Sequence, residues 1–131
     1  MSTLNVSNIT DGTDTVETGF VLNGSAKSWC NFNGTGTIAT RNSFNASSLT
    51  DISSGAYQVS FTNNFSAADW SGYSSCQQAD TVNPGSSYMD VAQLYKTQQA
   101  DSLYVMTNLN FTNTHKGDAK YVLVGALGDL A

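Results

Sequence analysis

The chain has 131 residues, enough for one domain with a hydrophobic core, and five basic against ten acidic residues give it a net charge of −5. This charge disfavours binding to the phosphates of DNA or RNA, which requires a positive surface. Only 11% of the residues are charged, but 40% are hydrophobic, and six Tyr, six Phe and two Trp provide large side chains to bury. We therefore expect a folded domain without a role in nucleic-acid binding.

The first 25 residues are predicted to form an extended N-terminal arm, separate from the domain that follows. Their apolar side chains are spread thinly among Ser, Thr, Asn, Asp and Gly and cannot form a core by themselves. The segment is either a flexible tail or an arm that extends over a neighbouring subunit. We favour the arm, and its candidate assembly contacts are Leu4, Val6, Ile9 and Val16.

Residues 26–131 are predicted to form an all-β domain, an antiparallel β-sandwich that is jelly-roll-like. Its first strand is expected at 27–32, with Trp29 on the face opposite to Cys30 and Phe32. The pair Asn33-Gly34 favours a type I′ turn because both positions can take positive φ. Gly36 adds a second permissive position. The segment NGTGT is therefore predicted to be the hinge of a hairpin that leads to a strand at 37–41.

Alternation of apolar and polar residues predicts the next strand at 56–62, with Tyr57, Val59 and Phe61 on the core face. The apolar run at 102–111 predicts a strand that is covered on both faces; the residues expected to share its core face are Leu103, Val105, Thr107, Leu109 and Phe111. Further strands are predicted at 72–79, 87–95 and 120–126. Turn signals about 8–12 residues apart are typical of an antiparallel sandwich. At most a turn or two of helix is expected, near 66–71.

One stretch of the chain carries a more specific pattern. Residues 26–37 read AKSWCNFNGTGT, residues 43–48 read SFNASS, and residues 55–61 read GAYQVSF. This pattern resembles a module of structural proteins of tailed bacteriophages, especially phages of marine bacteria. The resemblance covers residues 26–63, and the sequence departs from it at Cys30 and Thr40. It implies a virion component, often called a fibre or tail protein, without a known reaction and without catalytic residues.

The resemblance also implies where the protein acts and with what. We expect a virion protein that is assembled in the cytoplasm of the host bacterium, with other copies of itself as a homotrimer and other capsid or tail proteins as partners. It could be a short tail or head fibre or appendage that contacts a host receptor such as a surface glycan. The alternative on the particle is a capsid decoration protein that stabilises the head.

Sequence motifs predict neither an enzyme nor a cofactor. His115 is the sole histidine, which leaves one base for a Ser-His-Asp arrangement, and it lies in a segment with the composition of a turn. A glycan hydrolase would need two convergent carboxylates, and the predicted strands place no such pair. We therefore expect a non-enzymatic protein.

Metal binding and membrane insertion are not expected either. Asp11, Asp14 and Glu17 lack the spacing of a calcium loop and are interpreted as a solvated acidic segment. Cys30 and Cys76 are expected to remain thiols, because the cytoplasm is reducing. No signal peptide is expected, and no segment approaches the roughly 20 apolar residues of a membrane span.

Four aromatic residues are the candidates for contact with a receptor. Tyr and Trp on a polar surface are suited to bind sugars or protein partners, and the four candidates are Trp70, Tyr73, Tyr88 and Tyr95. On this interpretation a carbohydrate-binding module is an alternative function. The other interpretation is that these rings fill the sandwich or a trimer axis.

Overall fold

The structure, a computed structural model, describes residues 2–77, 91–108 and 116–131. Its strands are β1 (Asn8–Thr10), β2 (Thr15–Glu17), β3 (Ala26–Asn33), β4 (Ala39–Phe44), β5 (Ala46–Ser53), β6 (Ala56–Phe61), β7 (Ser71–Gln77), β8 (Val91–Leu94), β9 (Ser102–Asn108) and β10 (Tyr121–Leu127). A single helix of the described ranges, α1, spans Thr18–Gly24. Neither this helix nor any other described segment is a helix long and apolar enough to cross a bilayer.

Two four-stranded antiparallel sheets form the body of the molecule. Sheet I has the strand order β4-β3-β10-β7 and sheet II the order β5-β6-β9-β8. The hairpins β3–β4, β5–β6 and β8–β9 each stay within one sheet, whereas the other connections among these strands pass between the sheets. The predicted antiparallel β-sandwich is confirmed, and eight strands in two packed sheets is also the strand count of a jelly roll.

The hydrophobic core lies between the two sheets, because every second side chain of a strand points to the same face. Sheet II contributes Tyr57, Val59 and Phe61, as predicted, and the rings of Phe32 and Tyr57 meet edge to face with centroids 5.2 Å apart. Phe65 extends this core beside Phe61. The other buried apolar residues are Cys30, Ala56, Trp70, Leu103, Val105, Ala119, Val122, Val124 and Ala126. Leu109 and Phe111 lie outside the described residues.

The NGTGT segment joins β3 to β4 as predicted, but not through a type I′ turn. Neither Asn33 nor Gly34 has a positive φ, and the left-handed residue of the loop is Gly36, with φ 61°. The side chain of Asn33 instead shapes the loop, since its Oδ1 accepts a hydrogen bond from the Thr35 hydroxyl at 2.9 Å and its Nδ2 donates to the Thr35 carbonyl at 2.6 Å. The predicted turn type followed from the preference of an Asn-Gly pair, but the side-chain hydrogen bonds of Asn33 give the loop a different conformation.

The sequence did not predict strand β5, nor the elements β1, β2 and α1 of the N-terminal segment, where an extended arm was expected. The burial pattern of β5 is mostly exposed, because it is an edge strand whose residues Ala46–Ser53 are largely polar, so it has no apolar alternation to detect. The helix expected near 66–71 is wrong, since that segment contains bends and the start of β7. Helix α1 lies instead in the N-terminal segment.

Asn45 makes the corner where the chain leaves sheet I for sheet II. Its φ of 54° is left-handed, a conformation that Asn tolerates better than most residues. Its side chain bridges to the end of β6, because Nδ2 donates to the Asn63 carbonyl at 2.9 Å and Oδ1 accepts from the Asn63 amide at 2.7 Å. The SFNASS segment therefore sets the crossing between the sheets.

The N-terminal arm, residues 2–25, folds locally as the β1–β2 hairpin followed by α1. Asp11 closes the hairpin turn, since its Oδ1 accepts hydrogen bonds from the backbone amides of Asp14 and Thr13, and these bonds lower the pKa of Asp11. The helix buries no side chain. Lys27 connects the arm to the sandwich, because its Nζ donates to the carbonyl of Leu22 and to the Ser25 hydroxyl.

Candidate binding surface

The four aromatic candidates lie in different environments. Trp70 is only 4% exposed, packs against Phe61 and Phe65, and donates its indole N–H to the Gln99 carbonyl at 2.8 Å. The prediction that Trp70 contacts a receptor is therefore wrong, because a carbonyl satisfies its polar atom inside the core. Tyr73, by contrast, is 41% exposed and lies on sheet I.

Tyr95 belongs to a small cluster at the end of β8, on the other sheet. Its ring is half-buried and meets the ring of Tyr104 at 6.0 Å, with the Lys96 ammonium 4.3 Å from the Tyr104 centroid. Burial raises the pKa of Tyr95. Tyr88, the remaining candidate, lies outside the described residues.

An aromatic row crosses the outer face of sheet I. The strand register places Phe44 opposite Trp29, Trp29 opposite Gly125, and Gly125 opposite Tyr73. A Cβ atom on Gly125 would lie 2.2 Å from Cζ of Tyr73, so the Tyr73 ring covers this glycine. We call Phe44, Trp29 and Tyr73 the aromatic row. The parity of residues 28–32 already placed Trp29 on this face, but nothing in the sequence indicated its neighbours on β4 and β7.

An amide row runs beside the aromatic row, two residues further along each strand. Asn31 pairs with Asn42 on one side and with Leu123 on the other, and Leu123 pairs with Ser75. The Oδ1 atom of Asn31 is buried and has no hydrogen-bond partner among the described residues. An unsatisfied buried acceptor costs about 1–3 kcal/mol. It borders a cavity of about 200 Å³ whose lining includes Ser75, Tyr121 and Leu123.

A third row of this face, two residues beyond the amide row, contains Tyr121 opposite Gln77, and two cations flank the Tyr121 ring. The Arg41 guanidinium carbon lies 4.3 Å from the centroid of the Tyr121 ring, and the Lys120 ammonium lies 5.7 Å from it. Arg41 reaches this place because it is the extra residue of a β-bulge, opposite the step between Asn31 and Phe32. These two cations are among the five of a chain whose net charge is negative. The three rows together make the outer face of sheet I the candidate binding surface.

A buried polar junction lies at one end of the sandwich. The Tyr57 hydroxyl is 3.0 Å from the Gly34 carbonyl oxygen and 3.1 Å from Oδ1 of Asp118, and the same oxygen accepts the Gly55 amide at 2.7 Å. Burial, followed by the negative charge of Asp118, raises the pKa of Tyr57. Because Tyr57 is fully buried, this junction connects three segments of the fold and is not open to a substrate.

We expect Tyr57→Phe to cost about 1–3 kcal/mol at pH 7, because the buried Gly34 carbonyl loses its donor. The raised pKa adds a pH dependence in the native protein. Above about pH 10 the unfolded chain ionises this tyrosine while the folded chain does not, so stability falls by up to about 1.4 kcal/mol per pH unit until the folded-state pKa is reached. Urea denaturation of the native protein and of Tyr57→Phe from pH 8 to 11.5 measures this effect. The difference between their free energies of unfolding should become smaller above pH 10, because only the native protein loses stability through Tyr57. A free-energy difference that stays constant with pH would contradict the raised pKa of Tyr57.

Residues 2–77, 91–108 and 116–131 contain neither a metal-binding cluster nor a disulfide. No three His, Cys, Asp or Glu side chains in these ranges lie close enough to hold a metal ion. Cys30 and Cys76 are both thiols, as predicted, and burial raises the pKa of Cys30. His115 lies outside the described residues.

Comparison of the chain with models of protein families, with curated proteins and with solved structures finds no match. The fold and its surfaces are therefore the basis for a functional assignment.

Proposed function

We propose that this protein is a non-enzymatic structural protein on the exterior of a tailed-phage virion, incorporated into the particle through its N-terminal arm. The observation that carries the proposal is the exposure of the arm's apolar side chains. Leu4 is 85% exposed, Phe20 71% and Leu22 62%. Val6, Ile9 and Val16 are exposed as well. Apolar side chains that the chain itself leaves in water are suited to be buried against another subunit.

The local structure of the arm fits this role. The β1–β2 hairpin and α1 bond mainly within the arm, so docking on a neighbour need not break the hydrogen bonds of the sandwich. The arm contains three acidic residues and no basic residue, a charge that favours a neighbouring surface with cations. The partners that we propose are other copies of this chain, as a homotrimer, together with capsid or tail proteins.

The position on the particle is either a short tail or head fibre or a capsid decoration. The sandwich is compact, and the described residues contain no long helix or repeated strand unit that would build an extended stalk. Compactness suits a decoration protein and a short fibre tip equally well.

Quantitative mass spectrometry of purified virions, with the major capsid protein as the reference, tests this proposal. Hundreds of copies in each particle would assign a capsid decoration protein, and a few dozen or fewer would assign a fibre. Absence of the protein from purified virions would overturn the proposed function.

A further inference from the structure

We propose that the outer face of sheet I binds an acidic glycan, with sugar rings on the aromatic row and a carboxylate at Arg41. This surface belongs to the sandwich, so glycan binding there does not depend on assembly through the arm.

The aromatic row provides the platform for the sugar. The Tyr73 ring covers Gly125 instead of standing away from the sheet, and the register places Trp29 on the other side of the same glycine. A pyranose presents a face of C–H groups that packs on an aromatic ring, and Tyr and Trp combine such an apolar face with a polar atom. Phe44, which is exposed, continues the platform across β4.

Asn31 provides an acceptor that no group among residues 2–77, 91–108 and 116–131 uses. Its Oδ1 is buried and accepts no hydrogen bond from the described residues, and Asn31 is one of the residues that line the cavity beside the platform. Buried polar atoms in folded proteins are nearly always paired, so an unpaired one requires an explanation. A sugar hydroxyl that donates to Oδ1 would satisfy it, and the amide row lies about 7 Å from the aromatic row, two residues along the strand. This distance is suited to one sugar that stacks on the row and points a hydroxyl at Asn31.

The cations indicate that the glycan is acidic. The Arg41 guanidinium lies over the Tyr121 ring, and N–H groups along its edge can bind a carboxylate in a bidentate way. Lys120 adds a second positive charge near the same ring. The Tyr121 row lies four residues from the aromatic row, about 13 Å away, which a short oligosaccharide can span.

The polarity of the face distinguishes this occupant from a second copy of the chain. The centre of a stable subunit interface is depleted in polar and charged groups. Here the middle of the face consists of Asn42, Asn31, Leu123 and Ser75, so three of its four positions are polar. An amide-rich strip between aromatic rings and cations matches a hydroxylated, carboxylated ligand better than it matches an apolar protein surface.

The test is a binding titration of the full chain with hexagalacturonate and sialyllactose, each compared with its uncharged counterpart, the carboxyl-reduced hexasaccharide and lactose. We expect saturable binding to at least one carboxylated sugar, weaker by at least about tenfold, or about 1.4 kcal/mol, for the uncharged counterpart. Tyr73→Ala and Arg41→Gln should each weaken the same binding by at least about tenfold. Ile52→Ala, which removes an apolar side chain of the same exposed fraction, 41%, from β5 on sheet II, is the matched control and should leave the affinity unchanged.

Asn31→Ala separates a binding role from a structural one. Because Oδ1 accepts no hydrogen bond from the part of the chain that the structure describes, this substitution should weaken binding without lowering the melting temperature. Binding to neither carboxylated sugar, or binding that survives Tyr73→Ala and Arg41→Gln, would overturn the proposal. So would sedimentation equilibrium in which Tyr73→Ala dissociates an oligomer, because a second copy would then occupy this face.

Discussion

Deletion of residues 2–22 is expected to leave the sandwich folded and to abolish incorporation of the protein into particles. The described side chains of this segment contribute nothing to the buried core, and α1 buries none of its residues. The free energy of unfolding should therefore change by no more than about 0.5 kcal/mol, as for surface changes that touch no buried feature. Urea denaturation measures the first effect, and mass spectrometry of particles from a phage carrying the deletion measures the second.

Two point variants give the same test without shortening the chain. Phe20→Asp combined with Leu22→Asp puts charge on the exposed apolar side of the arm and should reduce incorporation strongly. Asn5→Asp adds a charge at an exposed polar position of the arm and should have little effect. Incorporation at the normal level after the deletion would remove the arm from the proposed function.

Gly55→Ala is expected to lower the free energy of unfolding by about 2–5 kcal/mol, from backbone strain and overpacking together. Gly55 has φ 65°, which costs an L-residue about 1–2 kcal/mol. A Cβ atom there would also lie 2.7 Å from the Gly117 amide nitrogen and 2.7 Å from the Thr107 carbonyl oxygen. The turn cannot easily move away, because the Gly55 amide donates to Asp118 and its carbonyl accepts from the Thr107 amide. Overpacking of this kind adds about 1–3 kcal/mol.

Gly36→Ala is the matched control for this prediction. Gly36 has nearly the same φ, 61°, but a Cβ atom there meets nothing within 4 Å. Gly36→Ala should lower the free energy of unfolding only by the conformational cost, about 1–2 kcal/mol. The effect of alanine on the unfolded chain is the same in both variants and cancels in the comparison. Equal losses in urea denaturation would show that the backbone contacts at Gly55 are unimportant.

The sandwich could be predicted because strands that are buried on one face leave a period of two in the sequence. Tyr57, Val59 and Phe61 alternate with polar residues, and all three are buried where the alternation placed them. Strand β5 could not be predicted in this way. It pairs with β6 at the edge of sheet II, and its hydrogen bonds rather than an apolar pattern define it.

The residues of the candidate surface likewise could be predicted only in part from the sequence. Trp70 and Tyr73 are three residues apart and were equal candidates, yet Trp70 is in the core and Tyr73 is on the outer face of sheet I. Sequence does not separate them, because burial of an aromatic residue near a strand start depends on which neighbours pack over it. The aromatic row likewise depends on pairing, since Phe44 lies directly opposite Trp29, and Gly125 of β10 connects Trp29 to Tyr73.

By itself, the sequence determined the fold class, the polar arm and the core face of the strands with clear alternation, since each follows from the local spacing of apolar residues. Only the tertiary structure decided which exposed residues form one surface. The register of β3, β4, β7 and β10 brings Trp29, Phe44 and Tyr73 together and places Asn31 beside them, with its Oδ1 unbonded among the described residues. Register depends on pairing between strands distant in the chain, and a shift by one residue would move every side chain to the other face.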